Sequence, residues 1–130
     1  MPTLEQVEDS LSAAFAAAVS PLPVAWGNVE FDTEGIAEWL RFDVQYNGGT
    51  NPELNGKSFR RFGILSVQIF VAATTGKRRA RQIAETVLAT FEGQTIGGVR
   101  LRNVGPTDVG VSDAWYQMNV TAQFEFDQLR

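Results

Sequence analysis

The chain has 130 residues, of which 44% are hydrophobic and 20% charged, and it contains no cysteine and no histidine. That composition fits one globular domain and excludes disulfides, thiolate metal sites, a cysteine nucleophile and a Ser-His-Asp triad. The formal net charge of −4 argues against a dedicated nucleic-acid binder, but it hides a division: residues 1–40 carry seven acids and no base, residues 41–81 eight bases and two acids, and residues 82–130 six acids and three bases.

The first predicted element is a helix over 3–19. Thr3 can cap it and Gln6 can complete a capping box. Leu4, Val7, Leu11, Phe15, Ala18 and Val19 recur at helical spacing, while Glu5, Glu8 and Asp9 lie away from that stripe. Ser20, Pro21 and Pro23 end the helix. Val24-Ala25-Trp26 reads as a short strand or extended arm before a turn at Gly27-Asn28. From Trp39 to Tyr46, apolar Leu40, Phe42, Val44 and Tyr46 alternate with Arg41, Asp43 and Gln45, which predicts a half-buried strand. The Gly- and Asn-rich residues 47–58 predict a long loop. Phe59 to Ala72 is the longest strand candidate, and with the preceding strand it forms an extended hairpin.

A second helix follows over 77–92, with Ala80, Ile83, Ala84, Val87, Leu88 and Phe91 on its apolar face and Gly93 at its end. Gly97-Gly98 precedes a strand at Val99–Val104 that Gly105-Pro106 should break, and Asp108 to Asp113 predicts a turn region. The last strand, Trp115 to Phe126, alternates throughout. The order α-β-β-β-α-β-β predicts a single α+β domain, a mainly antiparallel sheet with two helices on one face.

Chemistry-bearing constellations are scarce. The carboxylates, Asp108 and Asp113 included, show no pairing spacing and predict solvated turn residues. Residues 93–98 lack a phosphate-loop signature, and no cluster suggests a metal or another cofactor. No apolar run approaches the ~20 residues of a membrane span. The acidic N-terminus lacks the basic start of a signal peptide, which predicts cytosolic synthesis. The three tryptophans predict core or sheet packing.

The informative feature is Lys77-Arg78-Arg79-Ala80-Arg81, in the first turn of the second helix. Cations there face the positive end of the macrodipole, and Lys77 and Arg81 repel at i,i+4. Either they form a solvated face, or an anionic partner binds there. Lys57, Arg60 and Arg61 flank the long loop and read either as edge guards or as a second contact region.

Four stretches resemble a known family: Leu22-Pro23-Val24-Ala25-Trp26-Gly27-Asn28-Val29, Trp39-Leu40-Arg41-Phe42, Gly97-Gly98-Val99-Arg100-Leu101 and Trp115-Tyr116-Gln117-Met118-Asn119-Val120. They are similar to the lambda-like tail terminator (tail completion) proteins of long-tailed phages, prophages and gene-transfer particles, over nearly the whole chain. The resemblance implies a structural, non-enzymatic virion protein. It implies a ring, typically hexameric, on the head-proximal end of the tail tube. Such a ring stops polymerisation of the tube protein, presents a docking face to the head connector and lets DNA pass through its lumen. Assembly would take place in the host bacterial cytoplasm. Opposite charges on one chain suit head-to-tail ring contacts. The expected interface residues are Glu5, Glu8, Asp9, Lys57, Arg60, Arg61, Lys77, Arg78, Arg79 and Arg81. A head-completion, neck or tube protein of the same virus is the alternative, followed by a nucleic-acid-binding module using the basic cluster.

Overall fold

A computed structural model of the protein describes residues 2–27, 29–52 and 56–129. Asn28 in the expected turn, and 53–55 within the expected loop, lie outside the described residues. Helix α1 spans Leu4–Val19 and α2 spans Lys77–Phe91. The strands are β1 (Val24–Trp26), β2 (Glu38–Thr50), β3 (Ser58–Ala72), β4 (Thr95–Ile96), β5 (Val99–Ser112) and β6 (Trp115–Leu129). A short 3-10 turn, Ala73–Thr75, leads into α2. The strands form one sheet in the order β1-β2-β3-β6-β5-β4. Every pairing is antiparallel except β1 with β2. The expected α+β fold and element order hold, with the two-residue β4 added before β5.

Alternation sorts the sheet into two faces. Leu65, Val67, Ile69 and Val71 of β3 and Tyr116, Met118, Val120 and Phe124 of β6 point to the helices and are buried. Val7, Leu11, Phe15 and Val19 of α1 and Ala80, Ile83, Ala84, Val87 and Phe91 of α2 close over them in one core. The predicted capping box is present: Thr3 Oγ1 accepts from the Gln6 N–H, and Gln6 Oε1 from the Thr3 N–H. Leu4 of the expected stripe stays 47% exposed. Among the described residues, the second face of the sheet carries no helix. Its polar residues include Arg41, Gln68, Asn119 and Gln123, and an aromatic stack of Phe31, Trp39 and Phe70 sits at one end. Trp39 and Trp115 pack on this sheet as expected, but Trp26 is 39% exposed at the β1 edge.

Three expectations are corrected. The loop starts later than residue 47, because β2 runs to Thr50 opposite Arg60. A bulge between Tyr46 and Gly48 absorbs one residue and lets the ladder continue. Nor does Gly105-Pro106 break β5, which runs unbroken to Ser112. β5 is an edge strand beyond its short pairing with β4, so the missing proline N–H removes no ladder bond, and register slips on either side accommodate it. The turn shrinks to Asp113-Ala114, with Asp113 in the left-handed region at φ 54°. At Gly97 the β4–β5 turn passes α1 so closely that a Cβ would lie 2.7 Å from Ser10 Oγ.

Candidate assembly interface

The sheet register separates the expected interface residues into two groups at opposite ends of the strands. At the hairpin end are the close of β2, the start of β3 and the close of β6. The start of α1 joins them there: Tyr46 donates its hydroxyl to the Leu4 carbonyl at 2.6 Å, and Gln128 donates to the Pro2 carbonyl at 3.0 Å. Glu5, Glu8 and Asp9 are exposed on this part of α1, and Lys57, exposed, immediately precedes β3. Burial, with the Glu8 charge as a second cause, pushes the Tyr46 phenol up to about 12.

Arg60 and Arg61 sit on opposite faces of β3. Arg60 donates to Asp127 at 2.8 Å and lies 3.5 Å from Glu125. Arg100 and Arg102 of β5 complete the group, with Arg102 2.7 Å from Glu125, which is only 7% exposed. The Arg60 hydrogen bond, aided by Arg100 and opposed by burial, holds the Asp127 carboxyl below its usual range. This network clamps β3, β6 and β5 together on the open face. Arg61, on the helix side, donates to Gln128 Oε1 at 3.0 Å and lies over the Phe59 ring.

At the opposite end, α2 starts beside the start of β2 and the β5–β6 turn. Arg79 makes a two-pronged pair with Glu38, both bonds 2.8 Å, which lowers the Glu38 pKa against the opposing effect of burial. Asp108 accepts from the Tyr116 hydroxyl at 2.7 Å, and Arg81 lies 3.4 Å from the same carboxylate. Asp108 is thus a partnered strand residue and not the turn residue expected, though it stays exposed. Lys77 and Arg78 are exposed and make no ion pair among the described residues.

The structure therefore brings Arg79 and Arg81 to carboxylates of their own chain and leaves Lys77 and Arg78 facing outward. Arg100, Arg102, Glu125 and Asp127 carry no motif that marks them in the sequence. Their signal was faint: Glu125 and Asp127 stand at i,i+2 on the polar side of β6, and only the register shows that Arg60 and Arg100 lie opposite. Among the described residues no group of three or more acidic side chains could hold a metal ion. No helix among them is long and apolar enough to cross a membrane.

The family model described as Phage tail terminator protein matches residues 6–124. A solved structure 23% identical in sequence superimposes with a TM-score of 0.65, covering 95% of this chain and 96% of that chain, which supports the fold. No curated protein matches the sequence.

Proposed function

This chain belongs to the phage tail terminator family, structural proteins of the virion that work with other tail and head proteins, and we propose that it forms a ring, a hexamer, closing the head-proximal end of the tail tube. One face of the ring binds the last ring of tube protein. The other face differs from a tube subunit, so no further subunit adds and the head connector docks instead. DNA passes through the lumen without specific binding.

The observation that carries this reading is the family match across residues 6–124. The distribution of charge supports it. Acids of α1 lie at the hairpin end, and the outward cations Lys77 and Arg78 lie at the other end. A subunit with unlike surfaces joins head-to-tail, the kind of contact that closes rings. The nucleic-acid alternative loses ground because Arg60, Arg79 and Arg81 already pair with carboxylates of the same chain.

Size-exclusion chromatography with light scattering tests the reading. A discrete closed oligomer, formed alone or on added tube protein, is the expected result. A monomer under both conditions contradicts it, and growth into open tubes identifies a tube protein instead.

A further inference from the structure

Two unlike surfaces occupy opposite edges of the sheet. On one edge, α1 and the part of β2 that β1 leaves uncovered enclose a groove of about 250 Å³. Trp26, Phe42 and Val44 give it an apolar floor, and Trp26 stays 39% exposed although its ring packs edge-on against Phe15 and Phe42. Glu8 stands on one bank and Asp43 on the other, and neither makes an ion pair among the described residues. On the other edge, β5 carries Val109 and Val111, 53% and 66% exposed. Val111 is opposite Tyr116, whose hydroxyl lies 3.5 Å from Arg81. Lys77 and Arg78 share the Arg81 face of α2 at i−4 and i−3 spacing.

We propose that these surfaces are the two halves of the contact between neighbouring copies of this chain. Val111, on the helix side of β5, enters the Trp26 groove of the next copy, and Lys77 and Arg78 meet Glu8 and Asp43 at its rim. This contact rests on the ring reading above and assigns its surfaces. Charge complementarity selects a second copy as occupant: the anions lie on one edge and the cations on the other. A half-exposed tryptophan in a groove is also the residue type that anchors interfaces.

Strand addition does not compete with this side-chain contact. Pro106 offers no N–H, and two irregularities in its pairing with β6 kink β5, so its free edge is a poor template. The groove lies at the level of Phe42, which the ladder aligns with Pro106 through Val67 and Val120. Val111 lies further towards the opposite end, so neighbours meet with a stagger. Tilting each subunit relative to the ring axis takes up such a stagger, as strands do in closed barrels.

The chain has no cysteine, so introduced ones are unique. The full chain carrying Ser12→Cys in the groove and Val111→Cys on β5 is treated with a short bis-maleimide. The expected product is a ladder of covalent oligomers ending at the size of the closed ring, with no ladder from either single variant. As a second readout, Glu8→Arg and Arg78→Glu each lose assembly at concentrations where wild type assembles, and an equimolar mixture regains it, because alternating copies restore opposite charges at every contact. Rings from wild type without a ladder, or single reversals that still assemble, overturn this contact and leave the ring reading standing. A wild type that stays monomeric at every concentration, with tube protein present, overturns both.

Discussion

Arg60, Arg79 and Arg81 each neutralise a carboxylate of their own subunit, which fixes strand and helix ends and leaves Lys77 and Arg78 facing outward. The Glu38 and Asp127 carboxyls are held low by these pairs. Unfolding returns both to the ordinary carboxylate range, so the unfolded chain binds more protons as pH falls. The stability they contribute is complete above that range and is lost as pH falls through it and below. The denaturant midpoint should therefore drop between neutral pH and about pH 3, and Arg79→Ala should make that drop shallower; an unchanged drop would show that the pair is energetically silent. Tyr46 supplies a titration of opposite sign. Its phenol is pushed up to about 12, so its contribution holds at ordinary alkaline pH and fades as pH climbs towards that value. Phenolate absorbance should show a late-titrating tyrosine that Tyr46→Phe removes. Gly63 serves packing alone. A Cβ there would lie 2.6 Å from the Gln45 carbonyl oxygen and closer still to the Phe124 ring. Gly63→Ala should cost about 1–3 kcal/mol in denaturant unfolding, the usual range for overpacking; a neutral result would mean that the β2–β3 ladder moves freely at that point.

At the scale of elements, α2 carries its cations where its own dipole disfavours them. Lys77→Glu should raise thermal stability by about 0.3–1 kcal/mol while weakening assembly. Loss of both together would mean that Lys77 makes a contact needed within the subunit. The helices were legible in the sequence because their periodicity is unambiguous and the Thr3 cap is local. The ends of β2 and β5 were not. Glycine and proline usually end strands, but here they sit at a bulge and on a free edge, and that depends on which strand lies alongside. The same cause hid the internal partners of the candidate interface residues. The sequence marked Lys77 to Arg81 as a cluster, but the partners Glu38 and Asp108 come from β2 and β5, and only the tertiary fold pairs them. The Trp26 groove was equally invisible, since it lies between α1 and the exposed part of β2.

At the scale of the whole molecule, the modest net charge combines internally paired charges with outward ones, the Glu8 and Asp43 carboxylates at one edge and Lys77 and Arg78 at the other. A lone subunit exposes a groove banked by Glu8 and Asp43 at one edge and Val111 beside the α2 cations at the other, and the proposed ring would cover both. Capping follows when the two ends of such a ring differ, because the tube recognises only one of them. Electron microscopy of particles made without this protein tests that claim most directly. Over-long tail tubes without heads, with normal length and attachment restored by supplying the protein, are the predicted result; tails of normal length joined to heads in its absence would contradict it.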